Sequence, residues 1–99
     1  MNNETIIPVA LRTIALEAQS VSGLMAFIDE GFIQAVQQVA AASGRLIVSG
    51  IGKSAIIAQK IVATLNSTGT PSVFMHAADA IHGDLGMIQP DDIVLVISK

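Results

Sequence analysis

The chain has 99 residues, of which 52% are hydrophobic and 13% charged, with a formal net charge of −3 and no cysteine. That length accommodates one small domain or part of a larger one, and the absence of cysteine excludes disulfides and thiolate chemistry. A weakly acidic balance with three phenylalanines and no tyrosine or tryptophan argues against nucleic-acid binding, which relies on clustered basic residues and stacking rings.

At the N-terminus Asn2, Asn3 and Glu4 follow Met1 directly, and no stretch approaches 18 uninterrupted apolar residues. Neither a secretory leader nor a membrane span is expected, and the default location is cytoplasmic. Ile7, Leu11 and Ile14 recur at helical spacing, with Pro8 tolerable in a first turn, which predicts an amphipathic helix over about residues 4–19. Ser20-Val21-Ser22-Gly23 breaks the pattern. Met25, Ile28, Phe32, Val36 and Val39 carry a second helical stripe to about Ser43, with Gly44 as its C-terminal stop. Both stripes suit bundle seams as well as ordinary core. Leu46-Ile47-Val48 reads as a short buried strand, and Ile57, Ile61 and Leu65 mark a third helix ending near Gly69. Val73-Phe74-Met75 is a second strand, and Ile93 to Ile97 a third, reached through the turn Gln89-Pro90-Asp91-Asp92. Continuously apolar strands separated by a helix predict an α/β fold with a parallel sheet and right-handed crossovers.

The chemistry concentrates after the first two strands. Val48-Ser49-Gly50-Ile51-Gly52-Lys53-Ser54 is a glycine-bearing turn opening onto a helix, where free N–H groups and the positive end of the helix dipole favour a phosphate. Lys53 and the Ser54 hydroxyl add a charge and a donor; the plain alternatives are a tight strand-to-helix connection and a solvated lysine. Ile47 stands where a nucleotide P-loop needs its first glycine. The dinucleotide fingerprint ends in alanine and has no acidic residue about 20 positions on. The second constellation is His76-Ala77-Ala78-Asp79-Ala80-Ile81-His82-Gly83-Asp84-Leu85-Gly86-Met87, read as a loop. In a doubly wound sheet, ligands bind beyond the C-terminal strand ends, which brings this segment beside the glycine turn and His82 near the phosphate. Histidines six positions apart, with no evident third or fourth ligand, do not form a metal set, and no metal is assigned. His82 reads either as a catalyst or as a hydrogen-bonded structural residue, Asp84 as a site residue or a cap, and Asp91 and Asp92 as turn residues.

Taken together, Gly50-Ile51-Gly52-Lys53-Ser54, Ser67-Thr68-Gly69-Thr70-Pro71, His76 and His82-Gly83-Asp84-Leu85-Gly86-Met87 closely resemble the sugar isomerase (SIS) domain family, specifically its D-arabinose 5-phosphate isomerases. The likeness covers about residues 27–98. It implies a Rossmann-like three-layer sandwich preceded by two N-terminal helices, with residues 1–22 as a helical arm and 23–99 as the N-terminal part of the domain. The implied activity is interconversion of D-ribulose 5-phosphate and D-arabinose 5-phosphate, feeding synthesis of the sugar Kdo for lipopolysaccharide or capsule. No cofactor is implied, and the partners are a sugar phosphate and further copies of the chain in a homotetramer with shared active sites.

By position, the resemblance makes Lys53 and His82 catalytic residues and Gly52, Ser54 and Ser98 phosphate ligands, Ser98 matching the first serine of a Ser-x-Ser loop. His76, Gly83 and Asp84 fall in the substrate-binding segment. The family's downstream glutamates, later histidine and CBS pair have no counterpart among these residues, so the chain is expected to be the N-terminal half of a SIS domain. On its own it is expected to be insoluble, molten or rescued by oligomerisation, and inactive. The rival readings are a non-catalytic phosphosugar-binding module, as in sugar-responsive regulators, and an inactive structural fragment.

Overall fold

The structure, a computed structural model, describes residues 2–98; Met1 and Lys99, the outermost residues of the expected arm and domain, lie outside it. The chain divides into two compact units, Met1–Val36 and Gln37–Lys99.

In the first unit, helix α1 spans Asn3–Gly23. The Asn2 side chain accepts the Glu4 N–H at 3.0 Å and so satisfies one of the orphan donors of the first turn. Pro8 sits in the second turn, where it removes the N–H that would bond to the Glu4 carbonyl, yet the helix continues. The break expected at Ser20–Gly23 comes later. Ser20 folds its hydroxyl back onto the Leu16 carbonyl at 2.9 Å, a bond compatible with helix, and the chain leaves α1 only through a 3₁₀ turn at Leu24–Phe27. Helix α2 spans Glu30–Ala41, starting about five residues later than Met25 suggests, because Asp29 caps it by accepting the Phe32 N–H at 3.2 Å. None of the α1 residues is buried, although Ile7, Leu11, Ile14 and Leu16 are large and apolar. Among the described residues no helix is long and apolar enough to cross a membrane.

The second unit holds the sheet. Strands β1 (Leu46–Gly50), β2 (Ser72–His76) and β3 (Ile93–Val96) are all parallel, in the order β2-β1-β3. Helix α3 (Lys53–Ser67) makes the crossover from β1 to β2. The return to β3 runs through the short helix α4 (Ala77–Ile81) and a 3₁₀ turn at Asp84–Met87. This parallel α/β arrangement, with helices preceding the sheet, is the one the apolar strand runs predict. The segment 76–87, expected as a loop, is instead mostly helical.

Register fixes the two faces. Leu46 and Val48 of β1 lie opposite Ser72 and Phe74 on one side and Ile93 and Leu95 on the other. That face closes on α3: Leu46, Val48 and Ala58 form the buried cluster, with Ile61, Val62, Leu65, Phe74, Ile93, Ile97 and Val39 of α2 against it. Ile47, fully buried, belongs to the opposite face.

Two polar devices hold the N-terminal ends of the strands. Asn66 clamps the start of β2, donating to the Ser72 carbonyl at 3.0 Å and accepting the Ser72 N–H at 2.8 Å. Arg45 and Asp92 join the starts of β1 and β3 through a 2.8 Å ion pair, the one ion pair among the described residues. The Asp92 carboxylate, almost wholly buried, also accepts the Arg45 and Gln89 N–H groups, each at 2.8 Å, and Arg45 donates to the Met87 carbonyl at 2.9 Å. The Arg45 guanidinium, followed by those two backbone donors, holds the Asp92 carboxyl well below the usual carboxylate range. Asp92 is therefore a cross-strand anchor as well as a turn residue. Gly44 also has a role other than the helix stop expected of it: α2 has already ended at Ala41, and a Cβ at position 44 would collide with the Asp91 carbonyl.

Candidate functional site at the C-terminal edge of the sheet

Three segments leave the sheet at one edge. Gly50, the last residue of β1, pairs with His76, the last of β2, and Ser49 pairs with Val96, the last of β3. The Ile97 N–H then donates to the Ser49 carbonyl at 2.9 Å, so Ser98 departs from the same edge. The sequence-proposed residues thus arrive in three groups: Gly52, Lys53 and Ser54 beyond the central strand, His76, His82, Gly83 and Asp84 beyond β2, and Ser98 beyond β3.

The central group has the geometry of an anion cradle. Gly50 suits a close approach, since a Cβ there would lie 3.0 Å from the carbonyl carbon and oxygen of Ser54, a tight contact. Gly52 is required by conformation, with φ 61° and ψ −131°, a region that side-chain-bearing residues rarely adopt. Together they turn the chain sharply enough for α3 to begin at Lys53. No side chain caps this helix and its first turn has no acidic residue. The Lys53 and Ser54 N–H groups therefore have no intrahelical partner, and the Ala55 N–H closes only onto the Gly52 carbonyl at 3.1 Å. The lysine is exposed and the serine half-buried. Free N–H groups and the positive end of a helix dipole thus open at the end of β1, on the turn that also carries Lys53 and Ser54, a combination suited to phosphate.

The β2 group is built differently. His76 caps α4, its Nδ1 accepting the Ala78 N–H at 3.1 Å, and its ring meets that of Phe74 edge-on with centroids 6.2 Å apart. His82 ends α4, donating its N–H to the Asp79 carbonyl at 3.0 Å while its side chain is exposed. Gly83, at φ 125°, reverses the chain into the 3₁₀ turn that opens with the exposed Asp84. Among the described residues no three of His, Cys, Asp and Glu gather closely enough to hold a metal ion.

With β1 central and its neighbours β2 and β3 reached by successive crossovers, the order β2-β1-β3 puts the topological switch point at the C-terminal ends of β1 and β3, where doubly wound sheets bind ligands. The motif set and this topology agree with comparison to known proteins. The SIS domain family matches residues 40–99, more than half of the chain, and the chain belongs to that family. Over 90 residues it is 51% identical to arabinose 5-phosphate isomerase KdsD of Pseudomonas aeruginosa, covering 91% of this chain and 28% of the relative. Over 96 residues it is 45% identical to arabinose 5-phosphate isomerase GutQ of Escherichia coli K12, covering 97% of this chain and 30% of the relative. The chain therefore spans less than a third of these curated relatives. The solved structure of a protein from E. coli CFT073 in complex with arabinose 5-phosphate superimposes on the whole chain with a TM-score of 0.91 at 38% identity, and the match takes in 53% of that protein.

Proposed function

We propose that this chain carries the phosphosugar-binding part of an aldose–ketose isomerase that interconverts D-ribulose 5-phosphate and D-arabinose 5-phosphate. The observation that carries the reading is the anion cradle at Gly50–Ser54, opening on the same sheet edge as the His76–Asp84 segment, in a chain 51% identical to a protein named arabinose 5-phosphate isomerase. Its product would feed Kdo synthesis for lipopolysaccharide or capsule in the cytoplasm, in a homotetramer whose sites are shared between subunits. No cofactor enters the scheme.

Isomerisation moves a proton between C1 and C2 through an enediol-like intermediate, which asks for a base at carbon and for donors to the oxygen where charge develops. Gly52, Ser54 and Ser98 hold the phosphate. Lys53 offsets negative charge, and His82 relays a proton or helps open the sugar ring. Gly83 and Asp84 shape the segment over the sugar. The resemblance adds downstream glutamates to this set, so turnover belongs to the whole protein.

Two measurements test the reading. Ser54→Ala should weaken calorimetric binding of D-arabinose 5-phosphate by about 1–3 kcal/mol, the range for a hydrogen bond to a charged group. Unchanged affinity would remove the cradle from the site. A coupled assay for ketose formation by the whole protein then separates catalysis from binding. The second reading, a non-catalytic phosphosugar-binding module or inactive fragment, draws support from the 28–30% of the relatives that the chain spans, and binding without turnover is the result it requires.

A further inference from the structure

Strand β2 ends on a histidine already committed at one ring nitrogen. His76 Nδ1 accepts the Ala78 N–H at 3.1 Å. A nitrogen that accepts a hydrogen bond does not carry the ring proton, so the ring is the neutral tautomer with its proton on Nε2, and Nε2–H is the group left to donate. The edge-on Phe74 ring, at 80° to the imidazole, supports it from its own strand.

Register gives the ring its place. His76 lies opposite Gly50 and, by strand alternation, on the face that carries Val48, Phe74 and α3. The first turn of α3 rests close over Gly50. His76 therefore ends the strand next to the one that leads into the anion cradle, neighbouring strands lying about 4.8 Å apart. Ser98 follows β3, on the other side of β1. The polar groups form a row across the edge: Ser98, then the cradle, then His76. A ligand whose phosphate sits between β1 and β3 meets His76 when its remainder extends over β2.

We propose that His76 is an uncharged donor that gives its Nε2–H to an oxygen at the sugar end of the bound phosphosugar and takes no part in holding the phosphate. The inference rests on the sugar-phosphate reading above. Such a donor stabilises charge developing on oxygen without exchanging its own proton, which sets it apart from the proton relay assigned to His82.

The test combines ring-nitrogen NMR of the whole, catalytically active protein with two substitutions in it. The parent should show an unprotonated Nδ1 and a protonated Nε2, with and without D-arabinose 5-phosphate; a protonated Nδ1 overturns the proposal whatever the variants do. His76→Asn keeps a short acceptor for the Ala78 N–H, since asparagine is a good N-cap, and loses the distal donor. It should melt like the parent and bind inorganic phosphate equally well, while turnover of D-arabinose 5-phosphate falls at least about 10-fold, removal of an oxyanion donor costing on the order of 100-fold or more. His76→Gln returns an amide N–H near the position of Nε2 and should recover part of that loss. Equal weakening of phosphate and sugar phosphate, indifference to the Asn change, or a Gln variant no better than Asn would each overturn the donor role. If the parent binds neither ligand, the sugar-phosphate reading falls and takes this inference with it. If the parent binds normally and the Asn variant is indifferent, only this inference is lost.

Discussion

Strands β1 and β3 are almost interchangeable in composition and opposite in surroundings. Every residue of Leu46–Gly50 is buried, whereas Val94, Leu95 and Val96 are 42%, 43% and 63% exposed. The difference is one of cover: β1 pairs on both sides and lies under α3, while β3 pairs only with β1 and, unlike the other edge strand β2, leaves most of its residues exposed. A continuous apolar run therefore reports the surroundings a strand is built for, with both faces covered as parallel sheets require, whether or not these residues alone supply the cover. The same lesson holds for the apolar residues of α1.

Substitutions along the two strands would sharpen or break this comparison. The largest effect is expected at Ile47, fully buried in the central strand, where Ile47→Ala should cost about 2–5 kcal/mol in denaturant unfolding. Next is Gly44→Ala, whose new methyl meets backbone at Asp91 just where β1 and β3 begin; a loss of about 1–3 kcal/mol is expected by the same measurement, and a neutral result would show that the two strand starts separate freely. Asp92→Asn should lower the melting temperature by breaking the ion pair between those starts. Its sign with pH is fixed. The folded Asp92 carboxyl titrates below the unfolded value of about 3.9, so its contribution is present in full above that value and is lost as pH falls below it. The gap in melting temperature between parent and Asp92→Asn should accordingly narrow in acid; a gap independent of pH would show that charge is not what joins the strands. The smallest effect is expected at Val96→Ser, within about 0.5 kcal/mol as for other exposed positions. A cost there approaching that at Ile47 would mean that β3 is covered in solution, and the contrast between the strands would disappear.

What was legible in the sequence follows from how local its physics is. The three strands and α3 announce themselves through runs of neighbouring apolar residues, and the cradle through glycines whose purpose is a turn between adjacent elements. The start of α2 is equally local in origin, since Asp29 caps it, but the apolar stripe from Met25 points to an earlier start. The Arg45–Asp92 pair joins residues 47 positions apart, and no local signal connects them. Gly44 looked like a helix stop because its neighbour Asp91 is distant in sequence. Of the candidate site, the parallel-sheet rule brings the glycine turn and the His76–Met87 segment to one edge; the engagement of His76 Nδ1 is not legible in the same way, because it depends on helix α4 where the sequence suggests a loop.

The Arg45–Asp92 clamp has a practical corollary for anyone reshaping this protein. It sits where β1 and β3 begin, while every proposed ligand group sits where the strands end, so the length of the sheet separates rigidity from chemistry. An engineer can reinforce the clamp end, with a second ion pair or a shorter turn at Gln89–Asp92, and leave the ligand end untouched. Conversely, the three segments at the ligand end can be redesigned for a different sugar on a scaffold whose register is set from the far side.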